Sequence, residues 1–93
     1  MIALEREVTA TRAEFVRILG MAFPDVVVDD GKRLRVDGRD AVMEISLEPG
    51  PERRIALLCL PTLRVRIEFV EGSPKAQRAM LAHMDMAMQR GGG

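Results

Sequence analysis

Four of the 7 methionines of this 93-residue chain fall between Met80 and Met88, with its one histidine, His83, among them. Thioethers and an imidazole are soft donors that would suit Cu(I). Met80, Met84 and Met88 recur, however, at i, i+4 and i+8, the spacing of a buried stripe on a helix, where methionine is a pliable filler. Only Met86 and His83 fall toward the flank. General-base catalysis by His83 would need a nucleophile or orienting carboxylate within hydrogen-bond reach, and Asp85, two positions on, faces elsewhere on a helix. Cys59 stands between Leu58 and Leu60 with no basic neighbour to activate its thiol, and it reads as inert packing. The pairs Asp29-Asp30 and Asp37…Asp40 lie at two Asp-Gly turns rather than at calcium-loop spacing. Gly20, Gly31, Gly38, Gly50 and Gly72 are isolated turn or cap positions and make no phosphate cradle. The expectation is therefore no catalytic residue, no metal and no cofactor.

Composition narrows the classes further. Lys+Arg 14 against Asp+Glu 14 leaves no net field to gather a polyanion or an anionic lipid surface, so neither a nucleic acid nor a membrane is an expected partner. A hydrophobic fraction of 47% is that of a folded chain. One cysteine excludes a disulfide framework and fits a reducing compartment. The N-terminus has no basic region followed by a long apolar stretch, and the longest apolar run, Ile55 to Leu60, is far short of a membrane span. A cytoplasmic location is expected.

The elements that position these residues follow from pattern. Ile2 to Val8 alternates loosely as an edge strand. Thr11 followed by Glu14 is a capping box opening a helix over Arg12–Ala22, with Phe15, Ile18, Leu19 and Ala22 on its apolar face. Asp30-Gly31 and Asp37-Gly38 favour two-residue hairpin turns. Closing them at Asp29/Lys32 and Val36/Arg39 puts Val27, Leu34, Val36, Ala41, Met43, Ile45 and Leu47 on one face. Val26, Val28, Arg33, Arg35, Val42, Glu44, Ser46 and Glu48 then take the other.

After Pro49-Gly50-Pro51, two more strands are expected, Arg54–Leu60 and Leu63–Val70, around Pro61-Thr62. The latter alternates cleanly, with Leu63, Val65, Ile67 and Phe69 opposite Arg64, Arg66 and Glu68. The former does not alternate and reads as a central strand apolar on both faces. Ser73-Pro74 starts a second helix that runs to about Arg90, and Gly91 to Gly93 form a flexible tail. One domain, residues 1–90, accounts for the chain.

Two amphipathic helices cover one face of such a sheet. The fold class is α+β: a two-layer sandwich, strand, helix, antiparallel meander, helix, both helices on one face of a curved antiparallel sheet. This order resembles in topology the half-domain of the TATA-binding protein and, more distantly, a shortened helix-grip fold, although no sequence motif accompanies the likeness. The terminal Arg90-Gly91-Gly92-Gly93 resembles the tail of ubiquitin-like sulfur carriers, which implies an activated C-terminal carboxylate. The chain departs from that family in placing a long helix, not a strand, before the tail.

The surface left open by the helices is the candidate site. Its expected interface residues are Val42, Glu44, Leu57, Leu58, Cys59, Leu60, Arg64 and Arg66, an apolar centre rimmed by both signs of charge. Such a patch is self-complementary and predicts a non-enzymatic interaction domain that forms a homodimer through the uncovered sheet face, or meets another protein there. The alternative expectation is an apolar small-molecule site between sheet and helices, lined by Met43, Met80 and Met84, or at the dimer groove.

Overall fold

The computed structural model describes residues 3–24, 26–31 and 33–91. Strand β1 (Ala3–Val8) leads into helix α1 (Arg12–Ala22), whose start carries the expected capping box. The Thr11 hydroxyl accepts from the Glu14 amide at 3.2 Å, and the Glu14 carboxylate accepts from the Thr11 amide at 3.2 Å. Helix α2 (Pro74–Gly91) begins behind Ser73, whose hydroxyl accepts from the Ala76 amide at 3.1 Å. It carries on through Gly91, the first residue of the expected tail, while Gly92 and Gly93 lie outside the described residues.

Between the helices run β2 (Val27–Asp29), β3 (Arg33–Asp37), β4 (Ala41–Pro49), β5 (Arg53–Ile55), β6 (Leu58–Leu60) and β7 (Leu63–Gly72). Five strands form one antiparallel sheet in the order β1-β7-β4-β3-β2. The chain leaves β1 at one edge, passes through α1 to β2 at the other, and returns strand by strand until β7 closes against β1. Phe15 and Leu19 of α1 and Met80 and Met84 of α2 join Leu34, Val36, Met43, Ile45, Val65, Ile67 and Phe69 of the sheet in one core cluster. Both helices therefore cover the same face, and the fold is the α+β two-layer arrangement expected.

The buried alternation holds although both turns differ from expectation. The first hairpin pairs Asp29 with Leu34, and the Asp30 amide donates to the Arg33 carbonyl at 3.2 Å. The carboxylates of Asp29 and Asp30 accept from the Gly31 and Arg33 amides at 2.8 and 2.7 Å, which widens the turn by one pair. At the second, the Asp37 amide donates to the Val26 carbonyl at 2.9 Å, so β3 runs on to pair Asp37 with Val42. Both shifts move the pairing by an even number of residues, which leaves each side chain on its face. Val26 is the exception: it precedes β2, escapes the alternation, and packs against the core.

The larger correction concerns Arg54–Leu60, which is not a central strand. Strand β4 pairs directly with β7, from Ala41↔Gly72 to Pro49↔Leu63. The apolar run is instead folded on itself as β5 and β6, a two-stranded hairpin paired Arg53↔Leu60, Arg54↔Cys59 and Ile55↔Leu58. It prolongs the β4–β7 ladder as a free arm. Residues 51–59 are all exposed, and the molecule measures 44 × 25 × 23 Å. Pro51 and Pro61 bracket the arm and lack the amide donors with which a central strand would bond its neighbours.

Candidate functional site

Strand register defines the uncovered face row by row. Glu7, Arg64 and Glu48 form one row; Glu5, Arg66, Ser46 and Arg33 the next; Ala3, Glu68, Glu44, Arg35 and Val28 a third. Each row carries both signs of charge, although Glu44 and Glu68 stand directly opposite each other, and several neighbours pair. Arg66 lies 3.2 Å from Glu68 and 3.7 Å from Glu5, Arg33 lies 4.0 Å from Glu44, and Arg35 lies 3.6 Å from Asp37. Exposed pairs of this kind are each worth about 0–1 kcal/mol. Val42 is buried beside Asp37 and Glu71, next to the bulge at which β7 holds one residue more than β4.

The structure thus separates the eight expected interface residues into two groups. Val42, Glu44, Arg64 and Arg66 lie on the open face, which has no apolar strip at its centre. Leu57, Leu58, Cys59 and Leu60 lie on the arm. Ile55, Leu57 and Leu58 are 51%, 101% and 62% exposed. The pairings put Ile55, Leu58, Leu60 and Arg53 on one side of the arm and Arg54 and Cys59 on the other. Cys59 is exposed rather than packed. At the tip Ala56 takes φ 54°, a left-handed conformation usually filled by Gly, Asn or Asp.

A cleft of about 450 Å³, not foreseen from the pattern, opens where the end of β1, the start of α1 and the last turns of α2 meet. Val8, Ala10, Phe15, Ile18 and Met88 give it apolar walls, and Arg6, Asp85 and Gln89 stand among them. Arg6 reaches from β1 to Asp85 of α2 at 2.6 Å. The signal in the sequence was Arg6 itself, a charge on the core-facing side of β1 that needs a partner from a helix.

The other chemical candidates are absorbed by the fold. Met80 and Met84 are buried in the core and Met88 packs against it, while Met86 is exposed. The His83 ring donates from Nε2 to the Ala22 carbonyl at 2.7 Å, and it meets Phe23 edge-on at 5.1 Å between ring centres. It ties α2 to the open C-terminal end of α1, where helix carbonyls lack partners. Met43 is likewise buried in the core cluster. Asp29 accepts from Arg12 at 2.7 Å as well as from Gly31, and these bonds hold its carboxyl below the usual carboxylate range. Its partner Arg12 is correspondingly raised by the same bond. No group of three or more His, Cys, Asp or Glu among the described residues is placed to hold a metal ion.

No family model, no curated protein and no solved structure matches this chain. No helix among the described residues is long and apolar enough to cross a membrane.

Proposed function

We propose that this protein is a non-enzymatic interaction domain that self-associates, and that its contact element is the β5–β6 arm rather than the sheet face. The carrying observation is the tip, where Ile55, Leu57 and Leu58 stand exposed on an element that contributes nothing to the core cluster. Exposed apolar side chains grouped on one projection mark a contact surface, whereas isolated ones do not.

The turn supports this reading. A hairpin made only for stability would place Asn-Gly or Asp-Gly at its tip. This one places Ala56-Leu57 there, with Ala56 in a left-handed conformation. Departure from the locally favoured residue at an exposed tip is expected where the side chain is needed for binding. The sheet face, laced with both charges, suits solvent better than a polyanion, which argues against nucleic acid.

Light scattering coupled to size-exclusion chromatography tests the reading. The expected result is a wild-type dimer and a folded, monomeric Leu57→Asp. Because Leu57 is fully exposed in the protomer, the substitution leaves its folding intact. A dimer indifferent to Leu57→Asp overturns the arm as contact element, and a wild-type monomer at high concentration overturns self-association.

A second reading, binding of a small apolar ligand, rests on the β1/α1/α2 cleft, whose volume falls in the range of ligand pockets. It leaves the exposed arm unexplained.

A further inference from the structure

We infer that the arm of one copy seats its tip in the β1/α1/α2 cleft of a second copy, and that the second copy returns the contact. This rests on the arm being the contact element and adds what receives it. The two parts lie at the same end of the molecule. The arm departs from the sheet at Pro49 and Leu63, and Leu63 pairs with Val8, which lines the cleft.

A projection and a receptor at the same end of one protomer form an isologous contact when a two-fold axis relates the second copy to the first. One rotation satisfies both contacts at once, so the assembly closes as a dimer instead of growing into a filament. The arm does not reach its own cleft, because it prolongs the β4–β7 ladder outward and residues 51–59 are exposed.

The chemistry of the two parts matches. Ile55, Leu58 and Leu60 share one side of the arm with Leu57 at its tip, and Val8, Phe15, Ile18 and Met88 supply apolar walls to the cleft. Arg53 and Arg54, at the root of the arm, make no ion pair among the described residues. The cleft borders the last turns of α2, whose C-terminal end carries negative partial charge, and Asp85 lines it beside Arg6. A seated arm brings these two arginines to that rim. The second copy is favoured over a lipid surface because the receptor for the arm exists on the protein itself.

Complementation between two defective copies tests the proposal. Leu57→Asp removes the arm tip and Met88→Glu charges the cleft wall, and each alone is expected to weaken dimerisation roughly tenfold or more. Mixed together they are expected to form a one-to-one heterodimer, since one intact arm then faces one intact cleft. If Met88→Glu leaves the dimer unchanged while Leu57→Asp dissociates it, the arm remains the contact element and the cleft is not its receptor. A mixture that stays monomeric overturns the proposal in the same way. Should Leu57→Asp have no effect, both readings fall. A wild-type monomer whose Leu57-dependent binding is to phosphatidylcholine/phosphatidylserine vesicles also overturns both.

Met88 is half-buried, so a second measurement avoids its possible effect on folding. Gln89→Cys places a thiol at the exposed rim opposite the native Cys59 of the partner's arm. A short bis-maleimide is expected to give an intermolecular 59–89 crosslink, identified by peptide mass. Crosslinks confined to 59–59 overturn the cleft as receptor.

Discussion

Excising the arm discriminates most sharply between a central strand and a free projection. Pro51 retains its carbonyl bond from the Thr62 hydroxyl at 2.6 Å, and the Gly50 amide donates to the Thr62 carbonyl at 2.9 Å, so the ladder is closed below the arm. Replacing residues 52–61 by Asn-Gly leaves the three-residue connection Pro51-Asn-Gly between Gly50 and Thr62. That connection suits a type I turn followed by a left-handed glycine. Had residues 54–60 been a central strand, their removal would delete several buried leucines at about 2–5 kcal/mol each, enough to unfold a domain of this size. As an arm, they contribute no residue to the core cluster. Shortening the connection from about eleven residues to three lowers the loop-closure entropy cost by about 1 kcal/mol. The expected change in urea-unfolding stability of the protomer is therefore within about 1 kcal/mol, or up to about 8 °C in Tm.

Association should respond oppositely. Burying Leu57 and the exposed parts of Ile55 and Leu58 on both copies is worth about 6–13 kcal/mol gross. The freedom lost on association costs about 4–15 kcal/mol, which places the dimer in a weak to micromolar range. Wild-type Tm should rise with protein concentration, and that of the excised variant should not. Circular dichroism melts at several concentrations, with light scattering on the same samples, measure both effects. Loss of cooperative unfolding, or a stability drop above about 3 kcal/mol, would refute the assignment of this segment as a projection.

Two further predictions concern the scaffold. Gly72 has φ +117°, and a Cβ there would lie 2.7 Å from the Ala41 Cβ and 2.8 Å from the Asp40 carbonyl oxygen. Gly72→Ala should therefore destabilise by about 2–4 kcal/mol. In contrast, Gly20→Ala, in α1 with nothing within 4 Å of the new Cβ, should stabilise by up to about 1 kcal/mol. Equal effects of the two substitutions in urea unfolding would contradict this account. Asp29 is held below the ordinary carboxylate range by the Arg12 hydrogen bond first and the Gly31 amide second. A depressed carboxyl stabilises the fold above its unfolded pKa of about 3.9, and that contribution is lost as pH falls through the lower folded value. Asn at this position still accepts from Gly31, so the stability gap between wild type and Asp29→Asn should be present at neutral pH and close below about pH 4. A gap unchanged down to pH 2 would refute the assignment.

Local patterns carried most of the scaffold. The Thr11/Glu14 capping box, the Ser73-Pro74 start, the spacing of Met80 and Met84 and the alternation Leu63 to Phe69 each depend on neighbours a few residues away. Each is realised as the sequence implied. The two Asp-Gly turns closed at other residues, because side-chain bonds from Asp29 and Asp30 and the pairing of Asp37 are alternatives that a turn motif alone does not rank. The faces survived because alternation has period two and the shifts were even.

The site was less legible, since the run Ile55 to Leu60 fits two structures. Apolar on both sides, it satisfies a buried central strand and equally a hairpin whose apolar side meets another surface. The discriminating signs were present: Pro51 and Pro61 flank the run and lack the amide donors that a central strand uses. Their meaning depends on whether β4 pairs with β7 or with the segment between them, a choice among non-local pairings that periodicity does not encode. The sequence by itself determined the layers, the core faces and the balanced charge. Only the tertiary structure decided that the charge is paired across the open face while the apolar residues leave it as an arm. The reason is that a strand's side-chain alternation is local, whereas its partner is selected by the packing of the whole sheet.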